Sequence, residues 1–381
     1  MTRYKTKQVL IGGRNGVNRV PIGGDAPVVI QTMWKEPLTP ECLAEGGETQ
    51  RRIDTLSALG CGLLRFAVPT MESAETLGHL AAMCAVPLVA DIHFDYKIAL
   101  RVLDFPISKL RINPGNIGGK KQALQVLAKA QDKGVPVRIG VNGGSLPRDL
   151  RGEILTGRLA PEDALVRAAE RQLAVFDEAG FENTVVSLKI SSASRSVAAA
   201  RAFASRNDRP LHIGVTEAGP LIAGVVRNTA AIYILLSEGI GDTVRVSLSD
   251  TMENEVIAAR EMLLAVRDSG NAGRERFEAA SGVRIVSCPR CGRRAFDTHA
   301  FIDRWQTRLY AFRSNITVAV MGCPVNGPDE ARDADIGITG AGGKIIIFKS
   351  GKVCRRIDVP EDPATAAAVA DQAFLHELER L

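Results

Sequence analysis

KLRINPGNIGGKKQALQVLAKAQDKGVPVRIGV, residues 109–141, holds two short apolar runs on either side of a longer amphipathic stretch. The runs at 109–113 and 137–141 have the length and the residue types of buried strands. The stretch between them closes on Gly134, and glycine is the residue that most often ends a helix. The segment therefore predicts a strand, a helix and a second strand in succession.

The same alternation extends from residue 28 to residue 247. Apolar runs separated by helical patterns read VVIQTM, LLRFAV, LVADIH, KLRIN, VRIGV, TVVSLK, LHIGVT and TVRVSL. Eight strands alternating with helices over about 250 residues are typical of a (β/α)8 TIM barrel in the α/β class. An open doubly wound sheet would need a glycine-rich phosphate fingerprint after its first strand, and QTMWKEPLTPE has none.

Polar side chains stand at or near the ends of these runs. They are Arg65, Asp91, His93, Arg111, Asn113, Arg138, Asn142, Lys189, Thr216, Glu217, Arg245 and Ser247. In a barrel the carboxyl ends of the strands converge on one mouth, where this fold carries out its chemistry. A single strand-end arginine could simply extend to solvent, but five arginines and lysines in one cleft repel one another unless an anion neutralises them. The pattern predicts a site for a phosphate or diphosphate ester.

Beyond residue 270 the pattern changes. We expect a barrel domain over 1–270, a polar linker over 271–284 and a small α+β domain over 285–381. The second domain is predicted to contain a helix at 301–312, a strand at 316–323, a hairpin turning at Ser350 and Gly351, and a last helix from about Glu361.

Composition restricts the partners and the compartment. The net charge of +5 is spread along 381 residues without a basic tail, so nucleic-acid binding is not indicated. No run approaches the ~20 apolar residues of a membrane span, and the first residues lack the apolar core of a secretory signal. We therefore expect a cytoplasmic protein. Its seven cysteines, an odd number, argue against a disulfide framework.

Two of these cysteines form the motif CPRC, Cys288 and Cys291, and Cys323 ends an apolar strand of the second domain. A redox dithiol should open a helix, which Pro289 and the glycine after Cys291 do not favour. A zinc site would need a second CxxC pair, although Cys354 could supply a fourth thiolate. The spacing leaves zinc and an iron-sulfur cluster open, with the cluster favoured.

A series of motifs resembles one known family. VADIHFDYKIAL, LRINPGNIG, RIGVNGGSL, TEAG, LLSEGIGDTVRVSL, CPRCGR and GCPVNGPDEA are similar, in this order, to the signatures of the 4-hydroxy-3-methylbut-2-enyl diphosphate synthase family of the methylerythritol phosphate pathway of isoprenoid biosynthesis. The matches extend from about residue 20 to 350, and the ordered set is highly specific.

The resemblance implies a TIM barrel followed by a reductase-like domain with one 4Fe-4S cluster per chain. Three cysteines and a glutamate hold the cluster in that family, and they correspond to Cys288, Cys291, Cys323 and Glu330. A carboxylate exchanges from iron more readily than a thiolate, so its iron could accept substrate oxygen. Flavodoxin or ferredoxin is the implied electron donor.

The implied reaction is the reductive ring opening and dehydration of 2-C-methyl-D-erythritol 2,4-cyclodiphosphate. By resemblance, the diphosphate is held by Arg65, Arg111, Arg138, Asn142, Lys189 and Ser247. Asp91, His93, Asn113, Thr216, Glu217 and Arg245 would line the mouth. Glu217 is the candidate for proton delivery, and Asn326 would lie beside the cluster and contact the substrate.

The sequence departs from the family at three places. The loop QTMWKEPLT replaces the usual QSMTNT, Asp329 replaces a glycine beside the predicted ligand Glu330, and ISSAS lacks the usual serine-aspartate pair. These departures leave room for a divergent iron-sulfur reductase of another phosphorylated substrate. A second alternative is a non-redox phosphate-binding barrel with a zinc site.

The path of the chain predicts a homodimer. The helix after the eighth strand, about 253–268, would lead back down the outside of the barrel, away from the mouth. A two-fold dimer in which each small domain covers the partner's barrel avoids a strained linker, and the resemblance implies the same active site across subunits.

Overall fold

The computed structural model describes residues 4–270, 276–277, 282–289, 291–312, 314–325, 327 and 331–381. The chain divides into two compact units, Met1–Ala280 and Ser281–Leu381. Part of the predicted linker belongs to the first unit, because Phe277 is fully buried and the Val28 amide donates to the Arg276 carbonyl (2.8 Å). Within the described ranges, no helix combines the length and the apolar character that crossing a membrane requires.

The first unit begins with an antiparallel hairpin that was not predicted from the sequence. Its strands are β1 (Val9–Gly12) and β2 (Arg19–Ile22). Their buried side chains Val9, Ile11 and Ile22 pack in one cluster with Leu63, Val89 and Val185. These last three residues lie near the amino ends of their strands, so the hairpin covers the end of the barrel opposite the mouth.

Eight parallel strands form the barrel. They are β3 (Val29–Met33), β4 (Cys61–Ala67), β5 (Leu88–Asp91), β6 (Lys109–Ile112), β7 (Val137–Asn142), β8 (Thr184–Lys189), β9 (His212–Ile213) and β10 (Thr243–Val244). The order is β8-β7-β6-β5-β4-β3-β10-β9, and a parallel bridge between Val186 and Leu211 joins the two ends. Each of the eight predicted runs overlaps one strand, which confirms the predicted barrel.

Nine α-helices of the first unit pack around these strands. They are α1 (Glu48–Ala58), α2 (Met71–Met83), α3 (Tyr96–Val102), α4 (Lys120–Lys133), α5 (Arg148–Leu155), α6 (Pro161–Glu178), α7 (Ala193–Ala204), α8 (Leu221–Ser237) and α9 (Met252–Asp268), counted over the described residues alone. Gly134 ends α4 in the left-handed conformation (φ 57°), as the opening segment predicts.

The second unit is a five-stranded sheet with two helices. Its elements are β11 (Arg284–Ser287), α10 (Thr298–Tyr310), β12 (Thr317–Val320), β13 (Ile336–Ala341), β14 (Lys344–Lys349), β15 (Lys352–Asp358) and α11 (Pro363–Leu378). The strands follow the order β11-β12-β13-β14-β15. Phe301, Trp305 and Phe374 form an aromatic core beneath the sheet, with ring centroids 5.1–5.5 Å apart.

The predicted helix, strand, hairpin and last helix of the second unit are all present, whereas β11 and β13 were not predicted. The hairpin turns at Ser350 (φ 46°) and Gly351 (φ 74°), as expected. Two positive φ angles are typical of the two-residue turns whose twist matches that of the flanking strands.

Candidate active site

A cavity of about 100 Å³ lies at the carboxyl ends of the barrel strands. Eight of the predicted residues line it: Arg65, Arg111, Arg138, Asn142, Lys189, Thr216, Arg245 and Ser247. We call this space the barrel cavity. It gathers all five of the predicted cations.

The cations of the barrel cavity are buried and are only partly hydrogen-bonded. Arg138 is 2% exposed and Lys189 is 5% exposed. The Nε atoms of Arg65, Arg111, Arg138 and Arg245, and Nη1 of Arg138, have no hydrogen-bond partner within the described residues. A buried donor without a partner costs about 1–3 kcal/mol. A bound anion with several acceptor oxygens would remove much of this cost.

Asp91 neutralises part of the positive charge. Its carboxylate lies 2.6 Å from Nη2 of Arg65 and 3.0 Å from Nη1 of Arg111. Burial by itself would raise the pKa of Asp91, but the charge of Arg65, the hydrogen bond from His93 and the charge of Arg111 hold this pKa well below its usual range. Asp91 thus remains ionised and fixes two cations of the cavity. Nε2 of His93 lies 2.5 Å from Nη1 of Arg111 in the same cluster.

A second buried carboxylate, Glu255 of α9, was not predicted. It accepts hydrogen bonds from the Thr32 hydroxyl (2.6 Å) and the Leu248 amide (3.0 Å). It also lies 3.6 Å from Nε of Arg245 and 3.1 Å from Nζ of Lys35. Because Glu255 stands on a helix and belongs to no strand-end pattern, the sequence offers no signal for it.

The divergent loop after β3 packs closely against the barrel. Trp34 is 5% exposed and stacks on Phe66, with ring centroids 5.3 Å apart. The Arg52 guanidinium lies over the Trp34 ring at 5.3 Å and pairs with Glu36 (2.7 Å). Lys35 donates to the Leu248 carbonyl (2.9 Å), so this loop adds a further cation near the mouth.

Two glycines make room for the cations. A Cβ atom at Gly140 would lie 2.5 Å from Nε of Arg111, so only glycine lets this guanidinium cross β7. Gly214 has a φ of 141°, and a Cβ there would lie 2.2 Å from the Arg245 carbonyl and 3.1 Å from Nζ of Lys189. Larger residues at these positions would displace two of the cavity's cations.

Two predicted residues, Asn113 and Glu217, lie outside the lining of the barrel cavity, and Asn142 has a structural role besides its place in that lining. Asn113 is buried outside the lining of the barrel cavity, where its Oδ1 accepts from the Gly115 amide (3.1 Å) and from Gln172 (3.1 Å). Asn142 caps a short turn by accepting from the Ser145 amide (3.0 Å). Glu217 is exposed, has a φ of 53°, and lines a neighbouring depression of about 580 Å³ that Asn142 and Thr216 also border.

Ser187 and His212 also line the barrel cavity and were not among the predicted residues. Ser187 stands two residues before Lys189, which lines the same cavity. His212 stands two residues before Gly214, which lies against Nζ of Lys189. The two-residue period of a strand places such residues on one face, so this alternation could have identified both.

The second unit brings Cys288, Cys291 and Cys323 to one cavity of about 130 Å³, with Arg293 and Arg294 in its lining. The Gly322 amide donates to the Cys288 sulfur (3.1 Å), and a bond of this kind stabilises a thiolate. Three thiols around one cavity, one of them with an amide donor, suit a soft metal centre.

The described residues do not provide a complete set of metal ligands. Among the described residues, no group of three or more His, Cys, Asp or Glu side chains is arranged to hold a metal ion. The predicted fourth ligand, Glu330, lies outside the described residues, as do Asn326 and Asp329.

The other cysteines have different surroundings. Cys42, Cys61 and Cys84 are buried in the first unit. Burial raises the pKa of Cys61 to about 12 and that of Cys84 to about 11, so both remain thiols at neutral pH. Cys354 is exposed on β15, and its thiol donates to the Ile347 carbonyl (3.3 Å).

Comparison with known proteins identifies the family. A model described as "GcpE TIM-barrel domain" matches residues 13–260, and one described as "GcpE protein C-terminal domain" matches residues 284–370. The chain belongs to the GcpE family. The family resemblance drawn from the motifs is therefore confirmed.

Two relatives match this chain over nearly its whole length. One, from Treponema denticola, is 46% identical and covers 98% of each chain. The other, from Treponema pallidum, is 48% identical over 100% of this chain and 93% of its own. Both are named 4-hydroxy-3-methylbut-2-en-1-yl diphosphate synthase (flavodoxin).

Proposed function

We propose that this chain converts 2-C-methyl-D-erythritol 2,4-cyclodiphosphate to (E)-4-hydroxy-3-methylbut-2-enyl diphosphate in the methylerythritol phosphate pathway. The conversion consumes two electrons and two protons, breaks the ring C–O bond and releases one oxygen atom as water. The names of the relatives and the family membership support this function. The observation that carries it is the barrel cavity, in which buried cations retain unpaired donors.

The barrel residues would bind and orient the diphosphate. Arg138 and Lys189 have no carboxylate within 4.0 Å in the described part of the chain, so they are the cations most in need of an anion. Arginine presents a planar pair of donors that matches phosphate oxygens. Arg111 and Arg65 are fixed by Asp91, and fixed donors lose little side-chain entropy when the anion binds. Asn142 and Ser247 add neutral donors at the rim.

The cysteine cavity is the proposed position of one 4Fe-4S cluster, with Cys288, Cys291, Cys323 and Glu330 as ligands. The cluster would supply the electrons of the reaction, taken from flavodoxin. The shared cavity and the hydrogen bond from the Gly322 amide to the Cys288 sulfur support the three cysteines of this set. Asp329 adds a negative charge next to Glu330 in the sequence, which should make the site harder to reduce.

Glu217 is the proposed proton donor to the leaving oxygen. It is exposed at the depression next to the barrel cavity and shares that depression with Thr216 and Asn142. Its left-handed backbone (φ 53°) is uncommon for a glutamate, and such strain concentrates at functional positions. Asn326 would contact the substrate beside the proposed cluster.

The test is an anaerobic assay of the full chain with the cyclic diphosphate and reduced flavodoxin, followed by mass spectrometry of the product. We expect the allylic diphosphate and a brown protein with about four irons per chain. A brown protein that reduces only another phosphorylated compound would favour the divergent-substrate alternative. Colourless protein with stoichiometric zinc would contradict the redox function altogether.

We further propose that the active site combines the barrel of one chain with the cluster unit of its partner. Mixing the barrel variant Arg138→Ala/Glu217→Gln with the cluster variant Glu330→Ala should restore activity, because a mixed dimer contains one intact combination. Random pairing limits the recovery to about a quarter of wild-type activity. Confirmed subunit exchange without recovery would mean that each chain completes its own site.

A further inference from the structure

Three buried polar side chains lie inside the barrel, and one of them, His212, also lines the barrel cavity. Gln31, Lys109 and His212 are each 0–1% exposed, and we call them the barrel floor. Lys109 Nζ donates to the Gln31 side-chain oxygen (3.4 Å), and the His212 Nδ1 lies 2.7 Å from the Thr243 hydroxyl. The Gln31 Nε2 and the His212 Nε2 have no partner in the described part of the chain. The barrel floor therefore contains two basic groups in a nearly dry interior.

The strands around Lys109 and helix α9 carry further charged or titratable groups, of which Arg138 and Arg65 act most strongly on Lys109. The charged or titratable groups on these strands and on α9 are Cys61 and Arg65 (β4), Asp91 (β5), Arg111 (β6), Arg138 (β7), Lys189 (β8), His212 (β9), Arg245 after β10, Lys35 after β3, and Glu255 (α9). Cations outnumber carboxylates strongly in this set. The thiol of Cys61 remains neutral.

The two carboxylates are already engaged. Asp91 pairs with Arg65 and Arg111, and Glu255 lies against Arg245 and Lys35. No ion pair in the described residues reaches Lys109 or His212. A positive charge on the barrel floor would thus have no paired carboxylate among the described residues.

The protein can lower this charge only through its amines and its imidazole, because a guanidinium keeps its proton. Burial, followed by the charges of Arg138 and Arg65, lowers the pKa of Lys109 well below its usual range. Burial and the charge of Arg138 do the same to the pKa of Lys189, and burial with the charge of Lys189 lowers the pKa of His212. Without an anion, burial and the neighbouring cations therefore oppose the charged forms of these groups.

We propose that an anion enters the barrel cavity together with protons, and that Lys109 of the barrel floor takes up one of them. The inference rests on the proposed anion site and adds a coupling to it. A diphosphate places several negative charges above Lys109 and Lys189, which reverses the balance that favours the neutral amines. Lys109 then strengthens the field that holds the anion without touching it, and is a positioning residue.

The coupling has a measurable sign. When binding takes up a proton, affinity falls as the pH rises, by tenfold per pH unit for each proton. Sulfate is a suitable probe, because it keeps its charge at all pH values at which the protein is folded. Any proton taken up then belongs to the protein.

The experiment is calorimetric titration of the anaerobically purified full chain with sodium sulfate, in buffers that differ in ionisation enthalpy. We expect the wild type to take up about one to two protons per sulfate near pH 8. Lys109→Met should take up about one proton fewer, and its sulfate affinity should depend less steeply on pH. Lys121→Met, which removes an exposed lysine of α4, should match the wild type.

The other possible results contradict the proposed proton uptake by Lys109. Sulfate binding without proton uptake would overturn the coupling but leave the anion site intact, whereas no sulfate binding would overturn both. Uptake unchanged in Lys109→Met would exclude Lys109 as the acceptor. Thermal unfolding of Lys109→Met and Lys109→Gln provides a second criterion: a marked loss of stability in both would show that the free barrel depends on the charged lysine, contrary to the proposal.

Discussion

The barrel cavity and the cysteine cavity are built in opposite ways. The cations of the barrel cavity stand on or directly after strands, whose ladder fixes their positions in a buried setting. The cysteines stand on connections: Cys288 follows β11, Cys323 follows β12, and Cys291 is exposed. A rigid sheet can hold like charges together without a ligand, whereas side chains on loops need bonds to a shared centre to hold them in place.

The largest effect is expected at the cysteine cavity. Cys323→Ser removes a thiolate from the proposed ligand set, so the protein should lose its iron and its turnover entirely. Iron analysis and visible absorption of anaerobically purified protein measure the loss. The barrel should remain folded, because none of its strands contributes a residue to the cysteine cavity. Sulfate titration of the variant tests whether the barrel still binds an anion. Iron content equal to that of the wild type would exclude Cys323 as a ligand.

The second effect concerns the preassembled charges of the barrel. Asp91→Asn leaves Arg65 and Arg111 without their counter-charge, which should cost about 3 to 5 kcal/mol of unfolding free energy at neutral pH. Urea unfolding followed by tryptophan fluorescence measures this, since Trp34 stacks beside the mouth. Asp149→Asn, at an exposed pair with Arg171, is the matched control and should unfold like the wild type.

The pH dependence gives the sign of the Asp91 contribution. Its folded pKa is depressed, so the stability that it contributes is present above the unfolded pKa of about 3.9 and is lost as the pH falls through the lower folded value. The difference between wild type and Asp91→Asn should therefore shrink below about pH 4. A difference that stays constant down to acid unfolding would mean that Asp91 is not held ionised by its arginines.

Sequence alone predicted the barrel and most of its cavity because both follow from local patterns. The strand runs, their spacing and the charged residues at their ends all lie within a few residues of one another, as in 109–113. Glu255 and the barrel floor were missed because their roles depend on contacts between distant residues. The Thr32 hydroxyl, for example, reaches Glu255 across 223 positions of sequence.

The third effect concerns anion affinity. Arg138→Met removes a guanidinium that has unpaired donors at the barrel cavity, so it should lose about 1.5 to 3 kcal/mol of substrate binding, a ten- to hundredfold weaker affinity. Iron content should not change, which separates this variant from the cysteine variants. Arg171→Met, at an exposed arginine of α6, is the control. Unchanged substrate affinity in Arg138→Met would show that this side chain does not contact the anion.

The smallest effect is expected for Cys354→Ser, which tests whether the three cysteines of the cavity act without a fourth. β15 is separated from β12 by β13 and β14, and three strand spacings of about 4.8 Å place Cys354 roughly 14 Å from the strand that leads to Cys323. Burial and the charge of Glu377 also raise the pKa of Cys354, which favours the thiol over the thiolate that a metal needs.

In Cys354→Ser, the serine hydroxyl can still donate to the Ile347 carbonyl. We therefore expect unchanged iron content, unchanged turnover and a change in unfolding free energy of at most about 0.5 kcal/mol. Loss of colour in this variant would make Cys354 a ligand, and would require the sheet of the second unit to rearrange when the metal centre forms.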